Sequence, residues 1–204
     1  MRSNNSGLTR RGFVVSTGAF AGAALLPGQA SALSEKQAVD LINKVLADVF
    51  AIIDSGKPES QMLANFEGIF RDYADVPTIA RYCLGAPWRT ASSAQQAAYT
   101  KAFQRYVSRK YGRQFRKFAG AKVKIIRSRD AGSLGILVET SITLKGSEPY
   151  AVDWNVSDRS GKLKFINLII EGISMLATER TEIGSILESY QGNMDKLIAH
   201  LERT

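Results

Sequence analysis

The sequence predicts an α+β fold in which helices cover an antiparallel sheet. Up to residue 119 the apolar residues recur every three or four positions, as on one face of a helix. Between residues 121 and 170 they alternate with polar residues, as in half-buried strands, and from residue 174 the helical spacing returns. Helices, then a meander of strands, then helices again is the order typical of an α+β domain.

The first 32 residues are predicted to be an export signal. The pair Arg10-Arg11 precedes an apolar run over 13–26, and Ala30-Ser31-Ala32 offers a small-x-small cleavage site. Paired arginines at this place are typical of the twin-arginine route. The run is shorter than the roughly 20 residues that span a bilayer. We therefore expect residues 33–204 to form one mature domain that works in a bacterial periplasm.

Composition excludes several classes of chemistry. Removing the first 32 of 204 residues leaves 172, and it removes three basic residues and no acidic ones, so the net charge falls from +8 to +5. Cys83 and His200 are the only cysteine and histidine, which excludes an internal disulfide and disfavours a zinc site. We interpret Cys83 as a buried small hydrophobe and His200 as a polar residue of the last helix, and we expect no metal and no cofactor.

Four helical segments are predicted before the strands. Ser34 with Gln37, and Ser92 with Gln95, have the spacing of capping boxes and mark two helix starts. The helices are expected from the Ser34 cap to Ile53, from about Ser60 to Tyr73, from Asp75 to Leu84, and from the Ser92 cap to Ala119, with Gly120 as the last stop.

Four strands and two further helices complete the prediction. The strands are expected at Ala121 to Arg129, Ile136 to Leu144, Tyr150 to Val156 and Lys162 to Ile170, and the helices at Ser174 to Tyr190 and Met194 to Leu201. The segment Asp158-Arg159-Ser160-Gly161 is a hairpin turn signal. The fourth strand is apolar on both faces, which indicates a strand covered on both sides.

A basic row follows the predicted fourth helix. Its members are spaced by four residues: Lys101, Arg105, Arg109, Arg113 and Lys117. No Asp or Glu occurs between positions 101 and 129. A solvated helix face would explain such a row, whereas the missing acids favour an anionic partner. The export signal argues against nucleic acid, so anionic headgroups or an acidic protein surface are the expected partners.

The remaining signal is apolar. Alternation places Val138, Ile142, Val152 and Trp154 on the inner face of the sheet, where helix residues would meet them. Periodicity alone is satisfied by an ordinary close-packed core. The chain has no phosphate-binding glycine loop, and Glu139, Asp153 and Glu171 are poor candidates for a catalytic acid or base.

Two segments carry a resemblance to a known family. One is Leu84-Gly85-Ala86-Pro87-Trp88-Arg89, within the stretch from Tyr73 to Phe103, and the other is Glu171-Gly172-Ile173-Ser174, followed by Arg180. Together they resemble the MlaC/toluene-tolerance family of periplasmic phospholipid-binding proteins, over the range from Leu41 to Leu201. The sequence departs from the family pattern at Leu163, where Trp is common, and at Asn167, where Asp is common. Twin-arginine export is also unusual for the family.

The resemblance implies a fold and a function without catalysis. The fold is a curved four-stranded antiparallel sheet with helices folded over it, like a nuclear-transport-factor-type cone, with an apolar cavity. The function is to carry phospholipid between an outer-membrane lipoprotein and porin complex and an inner-membrane ABC transporter, which maintains outer-membrane lipid asymmetry. The expected cavity residues are Ile79, Tyr82, Leu84, Trp88, Phe103, Val138, Ile142, Val152, Trp154, Leu168, Ile170, Ile173 and Leu176.

Some roles and functions stay open at this point. Arg180 either fixes the Glu171-Gly172 corner or touches a headgroup, and the structural role is favoured. The basic row would face a partner complex or the membrane. A carrier of a hopanoid- or sterol-like lipid, an envelope adaptor that binds no lipid, and a small enzyme on a cone-shaped fold remain as alternatives.

Overall fold

A computed structural model describes residues 33–204, so the predicted export signal lies outside the described residues. The elements are α1 (Glu35–Ile53), α2 (Glu59–Tyr73), α3 (Val76–Leu84), α4 (Ser93–Gly112), β1 (Lys122–Asp130), β2 (Ile136–Thr143), β3 (Tyr150–Ser157), β4 (Lys164–Ile170), β5 (Ile173–Ser174), α5 (Met175–Ser189) and α6 (Met194–Arg203). Both predicted capping boxes are formed, by Ser34 with Gln37 and by Ser92 with Gln95. No helix within this part of the chain is long and apolar enough to cross a membrane.

The sheet has five strands, which corrects the prediction of four. The strands lie in the order β1-β2-β3-β4-β5, each antiparallel to its neighbour. The additional strand arises at Glu171 and Gly172, where both residues have positive φ angles of 49° and 79°. Two such residues form the tight turn of a hairpin, so Ile173 pairs with Ile170 before α5 begins. A strand of two residues has no alternation to detect, and the sequence therefore indicated a direct passage into the helix.

Helix α4 ends earlier than predicted. It stops at Gly112, and a separate 3-10 turn follows at Phe115–Phe118. Gly112 lies against α2, since a Cβ atom at this position would be only 2.7 Å from Leu63 Cδ2. Gly120 has a φ of 71° and ends the 3-10 turn region rather than the helix itself. Arg113 and Lys117 therefore lie beyond α4, and the row of basic residues does not follow one helix face.

The main core lies between the helices and one face of the sheet. Val138 and Val156 are fully buried there, and Trp154 is only 6% exposed. The register places Glu139 opposite Asp153 on the other face of the sheet, away from this core. Because side chains alternate along a strand, the sheet presents one apolar face to α1 and the other helices, where the cavity is found.

Candidate functional site

An apolar pocket lies between the helices and the inner face of the sheet. We call it the main pocket. It has a volume of about 170 Å³. Its lining residues come from α1, α2, α4, the sheet and the start of α5: Val45, Val49, Phe66, Ile69, Phe70, Val107, Ser108, Tyr111, Trp154, Phe165, Leu168, Ile170 and Met175. None carries a charge, and the Ser108 hydroxyl donates a hydrogen bond within its own helix to Gln104 O at 2.7 Å.

A second, smaller pocket adjoins the first. We call it the side pocket. Its volume is about 50 Å³. Five residues line both pockets: Phe70, Val107, Phe165, Leu168 and Met175. The others that line the side pocket are Ile79, Phe103, Ile166, Asn167, Leu176 and Glu179. The two pockets therefore form neighbouring parts of one apolar region, with a single carboxylate at its border.

The residues predicted to line a cavity fall into two groups. Six of them line one or both pockets: Ile79, Phe103, Trp154, Leu168, Ile170 and Leu176. The rest do not line either pocket: Tyr82, Leu84, Trp88, Val138, Ile142, Val152 and Ile173. Val138, Ile142, Val152 and Leu84 are buried in the packed core, while Tyr82 and Ile173 are 44% and 60% exposed.

Sequence reasoning missed the contribution of α1 and α2. Val45, Val49, Phe66, Ile69 and Phe70 all belong to apolar stripes that the periodicity had identified, yet nothing in the pattern says which stripe faces a cavity and which faces packed neighbours. Phe165 was missed for a different reason. A register shift in β4 pairs Phe165 with Val156, so its side chain enters the core face.

A polar network joins α4 and α5 at the border of the pockets. The Lys110 ammonium contacts Glu179 Oε1 at 2.7 Å and also pairs with Glu182. Tyr111 donates a hydrogen bond to Glu179, and Tyr106 donates one to Glu182. Lys110 also lies 5.5 Å from the ring centroids of both tyrosines, a distance suited to cation–π attraction.

The pKa values follow from this arrangement. Burial raises the pKa of both tyrosines, and the neighbouring carboxylates raise it further. Burial opposes ionisation of Glu182, but the hydrogen bonds from Lys110 and Tyr106 outweigh it and lower the pKa of this carboxyl group. The pKa of Lys110 is raised, because its two carboxylate partners outweigh its partial burial. Lys110 and Glu182 are thus charged at neutral pH, and both tyrosines stay protonated.

Arg180 holds the end of α3. Its guanidinium donates a hydrogen bond to Tyr82 O at 2.6 Å and lies 4.9 Å from the Tyr82 ring centroid. It also lies so close to Gly85 that a Cβ atom there would be 2.9 Å from Arg180 Nη2. The Glu171-Gly172 corner is instead fixed by Ala151, whose N–H donates to the Glu171 carboxylate.

The predicted basic row is divided by the structure. Arg105 pairs with Glu67 of α2 at 3.7 Å, and Arg109 donates a hydrogen bond to Glu202 O of α6 at 3.1 Å. Lys101, Arg113 and Lys117 are exposed. The acids missing from this stretch of sequence are therefore supplied in part by distant segments. Glu67 pairs with Arg105, and Glu139 pairs with Arg127 and Arg129.

The candidate catalytic groups lie away from the apolar region. Glu139 contacts Arg127 and Arg129, which lower its pKa, whereas burial and the nearby Glu139 raise the pKa of Asp153. Burial raises the pKa of the Cys83 thiol to about 12, so it is a poor nucleophile. Within residues 33–204 no group of three or more His, Cys, Asp or Glu side chains is placed to hold a metal ion.

Comparisons with known proteins agree with this architecture. A solved structure of a phospholipid-binding protein from Ralstonia solanacearum, in complex with a phospholipid, superimposes with a TM-score of 0.69. The two chains share 19% sequence identity, and the alignment covers 81% of this chain and 95% of the other. This likeness shows an α+β fold of that type. The family model of the MlaC protein matches residues 43–203, which confirms the resemblance inferred from the motifs, and this chain therefore belongs to the MlaC family.

Proposed function

We propose that this protein binds phospholipid and carries it through the periplasm, with acyl chains in the main pocket. The observation that carries this proposal is an uncharged pocket between helices and sheet in a member of the MlaC family. The structural neighbour, which is described as a phospholipid-binding protein in complex with phospholipid, supports the same class of ligand.

A carrier of this kind has a clear physical task. Each methylene of an acyl chain costs about 0.8 kcal/mol when it is exposed to water. A long chain therefore does not cross an aqueous compartment at a useful rate unless it is sheltered. The aliphatic and aromatic side chains that line the main pocket would supply this shelter, and none of the lining residues carries a charge.

The size of the pocket indicates that loading requires movement. About 170 Å³ is below the roughly 300–1,000 Å³ of common ligand sites, and a lipid with two chains needs at least that much. The helices that line the pocket must therefore move away from the sheet when lipid enters. Helix α2 is the best placed to move, because it contributes Phe66, Ile69 and Phe70 to the lining and contacts mainly α1 and α4.

The finer proposal concerns route and partners. We propose that residues 1–32 direct export by the twin-arginine route and that the protein exchanges lipid with an outer-membrane complex and an inner-membrane ABC transporter. Exposed Lys101, Arg113 and Lys117 would contact acidic surfaces of these complexes or of the membrane. Arg105 and Arg109 would contribute to the same surface while they hold α2 and α6.

The first experiment is mass spectrometry of organic extracts from protein purified without detergent. We expect phospholipid in stoichiometric amount. A hopanoid or sterol in its place would keep the carrier function and change the cargo. A well-folded protein that yields no lipid of any kind, and takes none up from vesicles, would contradict the proposal and favour the adaptor or the enzyme.

A pocket-filling substitution tests where the lipid binds. Ile69 lines the main pocket and is partly exposed. The larger side chain of Ile69→Trp should therefore fill part of the pocket with little effect on the packing of the core. We expect a severalfold drop in co-purifying lipid. Ile52→Trp is the matched control, because Ile52 is a partly buried isoleucine of α1 that lines neither pocket. An equal loss of co-purifying lipid in both variants, or no loss in either, would contradict the assignment of the main pocket.

A further inference from the structure

Two buried polar atoms near the side pocket have no hydrogen-bond partner. Over residues 33–204, the Tyr99 hydroxyl and Glu179 Oε2 are the buried side-chain nitrogen or oxygen atoms for which this holds. Tyr99 is fully buried, and Glu179 is 3% exposed. Buried polar atoms are nearly always paired, so two unpaired atoms in one region of the core require an explanation.

Of these two residues, only Glu179 lines the side pocket, and its other oxygen, Oε1, already accepts hydrogen bonds from Lys110 and Tyr111. Tyr99 lines neither pocket. Its ring packs on Phe103, which lines the side pocket, with ring centroids 5.8 Å apart. Burial raises the pKa of Tyr99, with smaller contributions from Cys83 and Glu179, so its hydroxyl stays protonated.

The donors around Glu179 are engaged elsewhere. The Arg180 guanidinium donates to Tyr82 O, and the Cys83 thiol is directed to Leu176 O at 3.8 Å. The side-chain amide of Asn167 donates to Asn155 Oδ1 at 3.3 Å. Glu179 Oε2 can therefore accept a hydrogen bond from a donor group that enters the side pocket.

We propose that the side pocket binds the hydroxyl group of an otherwise apolar lipid, with Glu179 Oε2 as acceptor. The proposal rests on the proposed carrier function and names a class of cargo for it. A hydroxyl carries one O–H donor, which would pair with this oxygen. A volume of about 50 Å³ fits a small terminal group. Because five residues line both pockets, the apolar part of the same lipid would lie in the main pocket. A chain ending in methyl would leave Oε2 unpaired.

The experiment compares two ligands that differ only in this hydroxyl. Detergent-free, delipidated protein is titrated with methyl palmitate and with the methyl ester of ω-hydroxypalmitic acid, and displacement of the apolar fluorophore N-phenyl-1-naphthylamine is measured. Because a hydrogen bond to a charged group is stronger than one between neutral groups, we expect the wild type to prefer the hydroxylated ester about tenfold. The ω-amino ester is tested alongside as a cationic donor.

One substitution and two controls assign the effect. Glu179→Met should abolish the preference. Tyr99→Phe keeps the ring and its packing, and Glu182→Gln changes a residue that shares Lys110 with Glu179. Neither Tyr99 nor Glu182 lines a pocket, so the preference should remain in both controls. Circular dichroism melts establish that each variant is folded, and the wild-type comparison stands even if Glu179→Met does not fold.

The outcomes are distinguishable from failure of the carrier proposal. Equal binding of the two methyl esters by the wild type would overturn the hydroxyl site, with a buried water as its occupant, and leave lipid binding intact. A preference that survives Glu179→Met, or tighter binding of the ω-amino ester, would also overturn it. Binding of no ester, together with no lipid in the extract, would overturn the carrier function itself.

Discussion

Gly85 shows how a single residue of the family motif acts. Its φ of 70° and ψ of −134° lie in a region that only glycine adopts without strain. The missing side chain also admits the Arg180 guanidinium, which binds the last turn of α3 through Tyr82 O. The glycine and the arginine of the two motif segments are therefore one structural unit that joins α3 to α5.

Substitution of this glycine should be costly. Gly85→Ala places a Cβ atom 2.9 Å from Arg180 Nη2 and imposes the unfavourable backbone angles, so we expect the free energy of unfolding to fall by about 1–3 kcal/mol. Urea denaturation measures this change in the free energy of unfolding. Gly184→Ala is the control, since Gly184 lies exposed inside α5 with nothing within 4 Å of its Cβ position, and it should be neutral or stabilise by up to about 1 kcal/mol. Equal effects of the two changes would contradict the role of Gly85.

Asn167 is another residue whose role only the structure reveals. Its Oδ1 atom accepts hydrogen bonds from Leu176 N at 3.0 Å and from Ser174 Oγ at 3.2 Å, while its Nδ2 donates to Asn155. It thus fixes the first turn of α5 to the sheet. Asp is common at this position in the family. An aspartate would keep the two accepted bonds and lose the donated one, so this departure leaves the attachment of α5 largely unchanged.

At the scale of elements, the sequence predicted most helices and strands because their signals are local. A capping box at Ser34 or Ser92 needs only four residues, and alternation along β2 and β3 needs only eight. The errors came where a distant contact decides the outcome. Helix α4 ends at Gly112, against Leu63 of α2, and β5 exists because a turn brings Ile173 back beside β4.

The α4–α5 network is the main polar connection between helices near the pockets. Lys110 bridges Glu179 and Glu182, one turn apart on α5, and two tyrosines of α4 complete the hydrogen bonds. Removal of the lysine would leave Glu179 buried without its counter-charge, which is a severe change in a core. The network therefore stabilises the contact between α4 and α5 at the border of the pockets.

The network also predicts a dependence of stability on pH. The pKa of Glu182 in the folded protein is lowered from its ordinary value of 4.5, so its ionised form stabilises the fold above that value. This contribution is lost as the pH falls through the lower, folded-state pKa. We expect the free energy of unfolding to decrease below about pH 4.5, and Glu182→Gln to be less stable at neutral pH with a shallower decrease in acid.

Urea denaturation between neutral pH and pH 3 measures this dependence. Glu148→Gln is the control, because Glu148 is an exposed carboxylate of the β2–β3 loop, and its acid profile should match the wild type. A Glu182→Gln profile parallel to that of the wild type would show that the network does not titrate as proposed.

At the scale of the whole molecule, the sequence located an apolar region between helices and sheet more easily than the residues that line it. Apolar faces and the family motifs indicated this region. The borders of the pocket depend on which apolar helix face is tightly packed and which is not. The packing of each face is decided by side chains far apart in sequence, such as Val49 and Met175, which line the same pocket. The same limit applies to charge. Arg105 looked unpaired because its partner, Glu67, belongs to another helix, and Arg109 is held by a backbone carbonyl, Glu202 O, of α6.

The basic residues without such partners are concentrated after α4. Five of them are exposed and lie in the 3-10 turn region and at the start of β1: Arg113, Arg116, Lys117, Lys122 and Lys124. Within the described part of the chain none of these five has an ion pair. Unpaired charge contributes little to folding but attracts an anionic surface. We therefore expect this segment to form most of the surface that meets an anionic partner, with exposed Lys101 of α4 beside it.

Charge reversal tests this surface. The triple variant Arg113→Glu, Arg116→Glu and Lys117→Glu should weaken binding to phosphatidylglycerol-containing vesicles at least roughly a hundredfold at low salt, since each basic residue near an anionic surface contributes about 1 kcal/mol. Lipid content should stay unchanged, because none of the three lines either pocket. Cosedimentation measures the binding. The matched control is Arg159→Glu with Lys162→Glu, at the exposed β3–β4 turn. An equal loss per reversed charge in the control would mean that net charge, and not this surface, governs the attraction.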